Sequence, residues 1–421
     1  INKPPKELEF IPTVSFFKHL SILLSNGGQH EIQKLIRESD PNKIGLHFTF
    51  DWTIYITDIE YAISFLSENV HTIPKLEFPP SGPFNIAHWS QQRKIASSAF
   101  NQILRLDMVG GCTNEFIKLL NKWTDTPIDV YSFVKRLTFQ IFGKLAFTYD
   151  MKELDSLKED SYIFNIFNKI FQHANNPLFM IFPFLNSLPL KRNFEFSSLV
   201  KEFDDFIFKI IEQRRLEMSK EKNKNEYNDL LAGILEAANH EENYYTNKEI
   251  RDNLISYLDI QKKAREEVIN VLGSASNLPT SENLKDLKYL TAIIMESLRL
   301  YPPAAILIPR KPTKPLNLSK NIILPKERMV VVNFWQIHRN PDIWTDPDKF
   351  IPERFINPTK EIRNSWIPFS IGSRSCVGQN FAIKEQKVVI ALTLLNFEIK
   401  LPPNIQHLDE IPLKKNQFTY S

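Results

Sequence analysis

Apolar and polar residues alternate along residues 44–56 (IGLHFTFDWTIYI), a β-branched and aromatic run that predicts two short strands. Asp58 follows as a helix cap, and the helix it opens is expected to reach Leu66. From Ala87 onward the period lengthens to that of a helix, predicting helices over residues 95–106, 116–123, 129–147 and 161–171. A long amphipathic helix is predicted over residues 196–218, with Leu199, Phe203, Phe206, Ile207, Ile210 and Ile211 at three- and four-residue spacings. The Lys-, Asn- and Glu-rich stretch at 219–226 reads as a solvated loop. Thr246 with Glu249 forms a capping box for a helix that runs to Leu272 and stops at Gly273. Residues 284–300 read as one more helix, ended by Pro302 and Pro303. Short strands are expected around Leu307, Leu316 and 330–332, then a last helix over 381–395. The pattern is mainly α, with small sheets near both ends and no internal repeat.

Composition narrows this picture. Apolar residues make up 43% and charged residues 24% of 421, which excludes disordered and fibrous classes. Eleven Gly against 32 Phe argue against a Gly-rich Rossmann or sandwich architecture. A net charge of +3 gives no electrostatic support for a nucleic-acid partner. Two cysteines, Cys112 and Cys376, cannot make a disulfide framework, which fits a reducing compartment. No stretch reaches the roughly 20 apolar residues of a membrane span. The greasiest segment, 178–190 (LFMIFPFLNSLPL), is interrupted by Pro183 and Pro189. The chain starts at Ile1 rather than Met, so an anchor is expected upstream of it. The nine His residues show no HxxxH or HxH spacing, which argues against a His metal site.

The chemistry concentrates near the C-terminus, in Phe369-Ser-Ile-Gly372-Ser-Arg374-Ser-Cys376-Val-Gly378. A single Cys framed by glycines and followed by a helical pattern sits at a helix N-terminus. There the dipole and free N–H groups favour an anionic, metal-binding sulfur. Gly372 and Gly378 would admit a bulky flat ligand to the backbone, and Arg374 offers a cation for an acidic group. A buried structural Cys in a glycine turn is the plainer reading of a lone cysteine.

The whole run resembles the haem-binding loop of the cytochrome P450 superfamily: Phe, two residues, Gly, one, Arg, one, Cys, one, Gly. Other landmarks of that family follow the same order. Glu296-Ser-Leu-Arg299 resembles its helix motif about 80 residues upstream of the Cys. Pro352-Glu353-Arg354-Phe355, His338-Arg339-Asn340-Pro341 and 346–350 (DPDKF) resemble its meander, and Trp89 with Arg93 its early-helix pair. The resemblance covers nearly the whole chain. It implies a mainly α cytochrome P450 fold in which residues 1–421 form a single haem domain.

It also implies roles. Cys376 would be the axial ligand of the iron of haem b (iron protoporphyrin IX), within a cofactor-binding set of Trp89, Arg93, Arg310, Phe369, Arg374, Cys376 and Gly378. The cations and Trp89 of that set would face the propionates, and His88 could join them. Glu296, Arg299 and Arg354 would form a buried cluster that braces the Cys loop without doing chemistry. Thiolate ligation favours O–O cleavage and insertion of oxygen into C–H bonds. The implied enzyme is a monooxygenase acting on a lipophilic substrate, with contacts from 78–86, 304–308 and near Phe418. Electrons would come from NADPH-cytochrome reductase, docking where Arg93, Lys94, Lys384 and Lys387 offer positive charge. The endoplasmic reticulum membrane, cytosolic face, would hold it through the upstream anchor and the 178–190 segment.

One family element is missing from the sequence. The Ala/Gly-Gly-x-x-Asp/Glu-Thr motif of the long distal helix, whose acid and alcohol relay protons, does not occur. Ala232-Gly233 is followed by Ile-Leu-Glu but by no Thr, and it precedes the expected helix. Residues 246–258 resemble the start of that helix, and Asp259 onward resembles the next one. About 25 residues, or ~37 Å of helix at 1.5 Å per residue, are expected to be missing between Leu258 and Asp259. No residue can therefore be assigned to the relay. A sequence gap, a skipped or mispredicted exon and a true deletion all account for it; the exon defect is favoured. Two other functions stay open: a haem-thiolate enzyme that rearranges or dehydrates its substrate without O2, and a non-catalytic remnant.

Overall fold

The computed structural model describes residues 52–68, 105–121, 130–147, 161–174, 188–220, 257–273, 278–319 except 308, and 322–398. It adds short pieces at 13–14, 44–48, 72–74, 149–152, 154 and 185. The chain is mainly helical.

A four-stranded sheet forms from β1 (Thr13–Val14), β2 (Ile44–Phe48), β3 (Trp52–Ile56) and β6 (Met329–Val332), in the order β1-β2-β3-β6. β2 and β3 pair antiparallel as a hairpin, whereas β3 and β6 run parallel. Every residue of the central strand β3 is buried, which suits its β-branched and aromatic make-up. β4 (Leu316–Ser319) and β5 (Ile322–Leu324) form a separate two-stranded ladder. Asp58 caps α1 (Ile59–Ser67), its carboxylate accepting from the amides of Glu60 and Tyr61. Ala62, Phe65 and Leu66 of that helix pack onto the sheet.

The main core is helical. It joins α2 (Leu106–Leu120), α3 (Val130–Phe147), α6 (Tyr257–Leu272), α8 (Lys288–Leu300) and α11 (Gln379–Asn396). Val109, Ile141, Val268, Leu290, Val388 and Leu392 are sealed from solvent there, each fully buried aliphatic side chain contributing about 1.5–3 kcal/mol. α4 (Tyr162–Ala174) and α5 (Lys191–Lys220) pack together beside it through aromatic contacts such as Phe167 on Phe203.

Two boundaries differ most from the pattern, and a third agrees with it. α2 starts at Leu106, ten residues before the predicted helix, and carries Gly110 and Gly111 inside it. Gly110 lies under Leu278, whose Cδ2 would stand 2.6 Å from any Cβ at that place. The predicted 284–300 helix is two: α7 (Ser281–Asp286), opened by a Thr280–Asn283 capping box, and α8. Leu287 separates them with ψ 69, a non-helical value that turns its side chain fully into the core. α6 runs unbroken through Leu258 and Asp259 to Gly273, whose φ of +78 ends it. Ser219 and Lys220 continue α5 instead of opening the predicted loop. The capping box at Thr246, residues 95–104 of the predicted 95–106 helix and residues 221–226 of that loop lie outside the described residues.

From β6 the chain enters α9 (Phe334–Ile337), capped by the Asn333 side chain, and arrives at His338. A single turn of 3-10 helix at Pro352–Phe355 lies against α8, and α10 (Lys360–Ser365) leads into the Cys loop.

Candidate active site

Two structures joined by buried side chains make up the region around Cys376. The first is an ion cluster on α8. Glu296 and Arg299 stand one turn apart, both fully buried, with Arg299 Nε donating to Glu296 Oε2 at 2.7 Å and Nη2 to Oε1 at 2.9 Å. Glu296 Oε1 also accepts from the Ile351 amide at 2.8 Å and from Arg354 Nε at 3.3 Å. Arg299 donates its remaining N–H groups to the carbonyls of His338, Pro347 and Lys349. All five of its donors are thus used, the condition under which a buried guanidinium is tolerable. Its plane also stacks over Trp344, 5.1 Å from the ring centroid.

The second is the Cys loop. The Cys376 amide donates to the Phe369 carbonyl at 2.8 Å, closing the loop, and a 3-10 turn at Gly372–Arg374 lies inside it. Gly372 has φ +76, and a Cβ there would lie 2.4 Å from the Leu66 carbonyl oxygen at the end of α1. Packing against α1 therefore by itself requires glycine at 372. Gly378 differs: with φ −86 it caps α11, and an added Cβ would meet only the Cys376 sulfur, at 3.9 Å. Cys376 is half-buried at the head of an 18-residue helix and is not in a disulfide.

A stair of aromatic rings links the two. Trp344, Phe355, Trp366 and Phe369 follow one another with centroids 6.0, 6.3 and 6.0 Å apart. Trp366 Nε1 donates to the Met295 carbonyl of α8 at 2.8 Å. The Ile367 amide donates to His338 Nε2 at 3.0 Å.

Comparison with known proteins bears on this arrangement. The family model described as Cytochrome P450 matches residues 81–258 and 253–419. The chain belongs to the cytochrome P450 family.

Its relatives include the rat protein named Cytochrome P450 4X1, 29% identical over 402 residues, covering 83% of this chain and 77% of the relative. The Medicago truncatula 11-oxo-beta-amyrin 30-oxidase is 30% identical over 368 residues, covering 76% of this chain and 67% of its own. Cytochrome P450 CYP72A613 of Trigonella foenum-graecum is 28% identical over 476 residues, at 93% and 87% coverage. The family consists of oxidising enzymes that carry a haem iron. Its model meets this P450 in two pieces that overlap over residues 253–258, beside the Leu258 and Asp259 positions. The rat alignment spans 402 positions, of which 83% of this 421-residue chain fills about 350, so about 50 positions of that relative face no residue here.

Of the residues that the sequence singles out in this P450, Phe369, Cys376 and Gly378 lie together in the loop, and Glu296, Arg299 and Arg354 together in the buried ion cluster. Arg310 is 1% exposed and pairs through its backbone with Val330, near the start of β6, while Ile306 bridges to Asn333 just past its end. The backbone of Arg374 is in the 3-10 turn. Trp89, Arg93, Lys94, His88, residues 78–86, Ile308 and Phe418 lie outside the described residues. Lys384 is exposed, but Lys387 is half-buried and donates to the Leu284 carbonyl at 2.8 Å, so it is tied to α7. Leu188 and Leu190 of the 178–190 segment are 41% and 38% exposed, while 178–184 lie outside the described residues. No helix among the described residues is long and apolar enough to cross a membrane.

His338, Trp344 and Trp366 carry the architecture and were not singled out by their pattern, although the family-like run 338–341 contains the first. Glu385 was also missed: it is 9% exposed on α11, burial pushes its carboxyl up to about 8, and Oε1 has no hydrogen-bond partner among the described residues.

The donor set suits a haem iron. No group of three or more His, Cys, Asp or Glu capable of holding a metal occurs among the described residues. A half-buried cysteine at a helix head, whose sulfur is the only atom that a Cβ on Gly378 would meet within 4 Å, fits a metal whose other ligands come from a macrocycle.

Proposed function

We propose that this P450 is a haem-thiolate monooxygenase that inserts one oxygen atom of O2 into a lipophilic substrate, using electrons from NADPH-cytochrome reductase. The observation that carries this reading is the single half-buried thiol at the head of α11, on a loop anchored to a fully paired buried ion cluster. Cys376 is read as the axial ligand and haem b as the cofactor. When bound, that group supplies the oxygen-activating redox chemistry, which a thiolate ligand favours.

The chain's own residues hold and shield. Phe369 and Gly378 are read as shaping the ligand side, where a Cβ on residue 378 would stand 3.9 Å from the Cys376 sulfur. Arg310, Arg374, Trp89 and Arg93 are read as the propionate contacts, supported by their cationic or N–H-donating side chains and by family resemblance. Glu296, Arg299 and Arg354 hold the loop's floor. Residues 1–421 are read as one domain, supported by a core that draws on segments from Leu106 to Leu394. The exposed Leu188, Leu190 and Phe194 support contact with the endoplasmic reticulum membrane on its cytosolic side.

A second reading is favoured by the two-piece family match at 253–258. It holds that the oxygen-activating stretch is absent between Leu258 and Asp259 through an exon defect, so that this chain is a remnant or a rearranging enzyme. Three measurements decide. The reduced, carbon-monoxide-bound spectrum should show a thiolate-type band; its absence sinks the enzyme reading. NADPH-dependent O2 consumption with the reductase separates a monooxygenase from a rearranging enzyme. Sequencing the transcript across codons 258 and 259 shows whether coding sequence is skipped.

A further inference from the structure

We propose that His338 is a positioning residue: it hangs the start of the Cys loop from the buried ion cluster, by accepting the Ile367 amide on one side and the Arg299 guanidinium on the other. The ring takes the first bond, at Nε2 and 3.0 Å, and the backbone carbonyl takes the second, at 2.7 Å. One residue thus joins Glu296–Arg299 to the segment that ends two residues later at Phe369, whose carbonyl receives the Cys376 amide. The bond spans two elements far apart in sequence, and His338 is wholly buried, so little slack remains in it.

The ring is held for this task. It stacks on Phe334 and meets Trp344 edge-on, each with centroids 6.5 Å apart. Because Nε2 accepts, the proton of the neutral ring sits on Nδ1. Burial, followed by the nearby Arg299 and Arg339 charges, pushes the imidazole down to about 3, so its Nε2 lone pair stays available at ordinary pH. The Ile367 amide is buried, and a lost acceptor would leave it without compensation.

The reading of Cys376 as the haem ligand gives the clamp its purpose, but the clamp itself is testable without it. Two substitutions of similar polarity separate geometry from bulk. In His338→Gln the amide oxygen lies near the position of Nε2 and can still accept from Ile367. In His338→Asn it lies near the position of Nδ1, too short to reach. Amide hydrogen exchange of the full chain, resolved on a peptide containing Ile367, is the first readout. The expected result is at least tenfold faster exchange there in His338→Asn, a change under about threefold in His338→Gln, and unchanged peptides from α6. The second readout is the reduced, carbon-monoxide-bound spectrum, in which His338→Asn should lose its thiolate-type band several times faster than His338→Gln. Equal exchange in the two variants, or acceleration spread over the whole chain, overturns the proposal. If wild type gives no thiolate band while the exchange difference holds, the clamp stands and the haem reading falls. Should His338→Asn accumulate only as unfolded chain while His338→Gln folds with the Ile367 amide protected, the reach of the acceptor is still what separates them, and the proposal holds.

Discussion

Glu353 and Arg354 are neighbours in one 3-10 turn, and each makes an ion pair at 3.3 Å, yet the two pairs belong to different physical regimes. Arg354 reaches inward to Glu296, with side chains 8% and 0% exposed. Glu353 reaches outward to Lys263, at 51% and 60%. At equal separation the Coulomb energy depends on the surrounding dielectric, and so does the cost of removing one partner. In water-exposed pairs the lost partner is replaced by solvent, so such pairs contribute about 0–1 kcal/mol. In the inner cluster nothing replaces it. The difference teaches that the turn is placed by its inward residue, and that the outward pair decorates a position already determined.

Breaking the inner side should have the largest effect. Glu296→Ala leaves Arg299 buried with two of its five donors unmet, and frees the Ile351 amide and Arg354 as well. Removing one partner of such a pair costs about 3–5 kcal/mol, a large part of a typical folding free energy. We expect a clearly lowered melting temperature and little haem-loaded protein, measured by thermal denaturation and by the ratio of haem to protein absorbance. A Glu296→Ala chain that loads haem fully and melts like wild type would remove the cluster from its role as the loop's floor.

The same contrast explains what could be read from sequence. The β2–β3 hairpin and the cap at Asp58 were legible because period-two alternation and a capping carboxylate are local properties. So was the loop around Cys376, whose spacing pattern is dense in rare residues. The break at Leu287 was not legible, since a leucine between two helical runs carries no stop signal; its ψ of 69 is imposed by burial in the tertiary core. Nor was the constraint on Gly372, which comes from the carbonyl of Leu66, some 300 residues away in the chain. His338 falls in the same class: the sequence displays an imidazole, but its acceptor role depends on the Ile367 amide arriving from another element. Local signals survive in the sequence, while contacts between distant segments leave little trace in a single one.

Glu385 sharpens the comparison from a third direction, as a buried carboxyl whose burial raises it to about 8 from 4.5. Between those values the folded chain holds a proton that the unfolded chain has released. Stability from this group is therefore complete below pH 4.5 and falls as pH rises toward 8, by about 1.4 kcal/mol per pH unit. His338 acts in the opposite sense. Its value of about 3 against 6.5 means the unfolded chain binds the extra proton, so stability rises with pH between 3 and 6.5. The two slopes oppose each other from 4.5 to 6.5 and leave Glu385 alone from 6.5 to 8. Glu385→Gln should flatten the decline in that upper window, measured by chemical denaturation at pH 6.5, 7.2 and 8. An unchanged slope would show that Glu385 is ionised in the fold.

The smallest effect belongs to the outward pair. Lys263→Ala removes the 3.3 Å contact to Glu353, together with a cation 5.7 Å from the Tyr289 ring centroid. Glu353 keeps the Tyr289 hydroxyl as a donor at 3.1 Å and gains water in place of the ammonium. The expected loss is about 0.2–1 kcal/mol and should shrink further in added salt, since both partners are more than half exposed. Chemical denaturation of wild type and Lys263→Ala at low and at high ionic strength checks both statements. A loss comparable to that of Glu296→Ala would mean that the turn is held from its outer side too, and that burial does not divide Glu353 from Arg354.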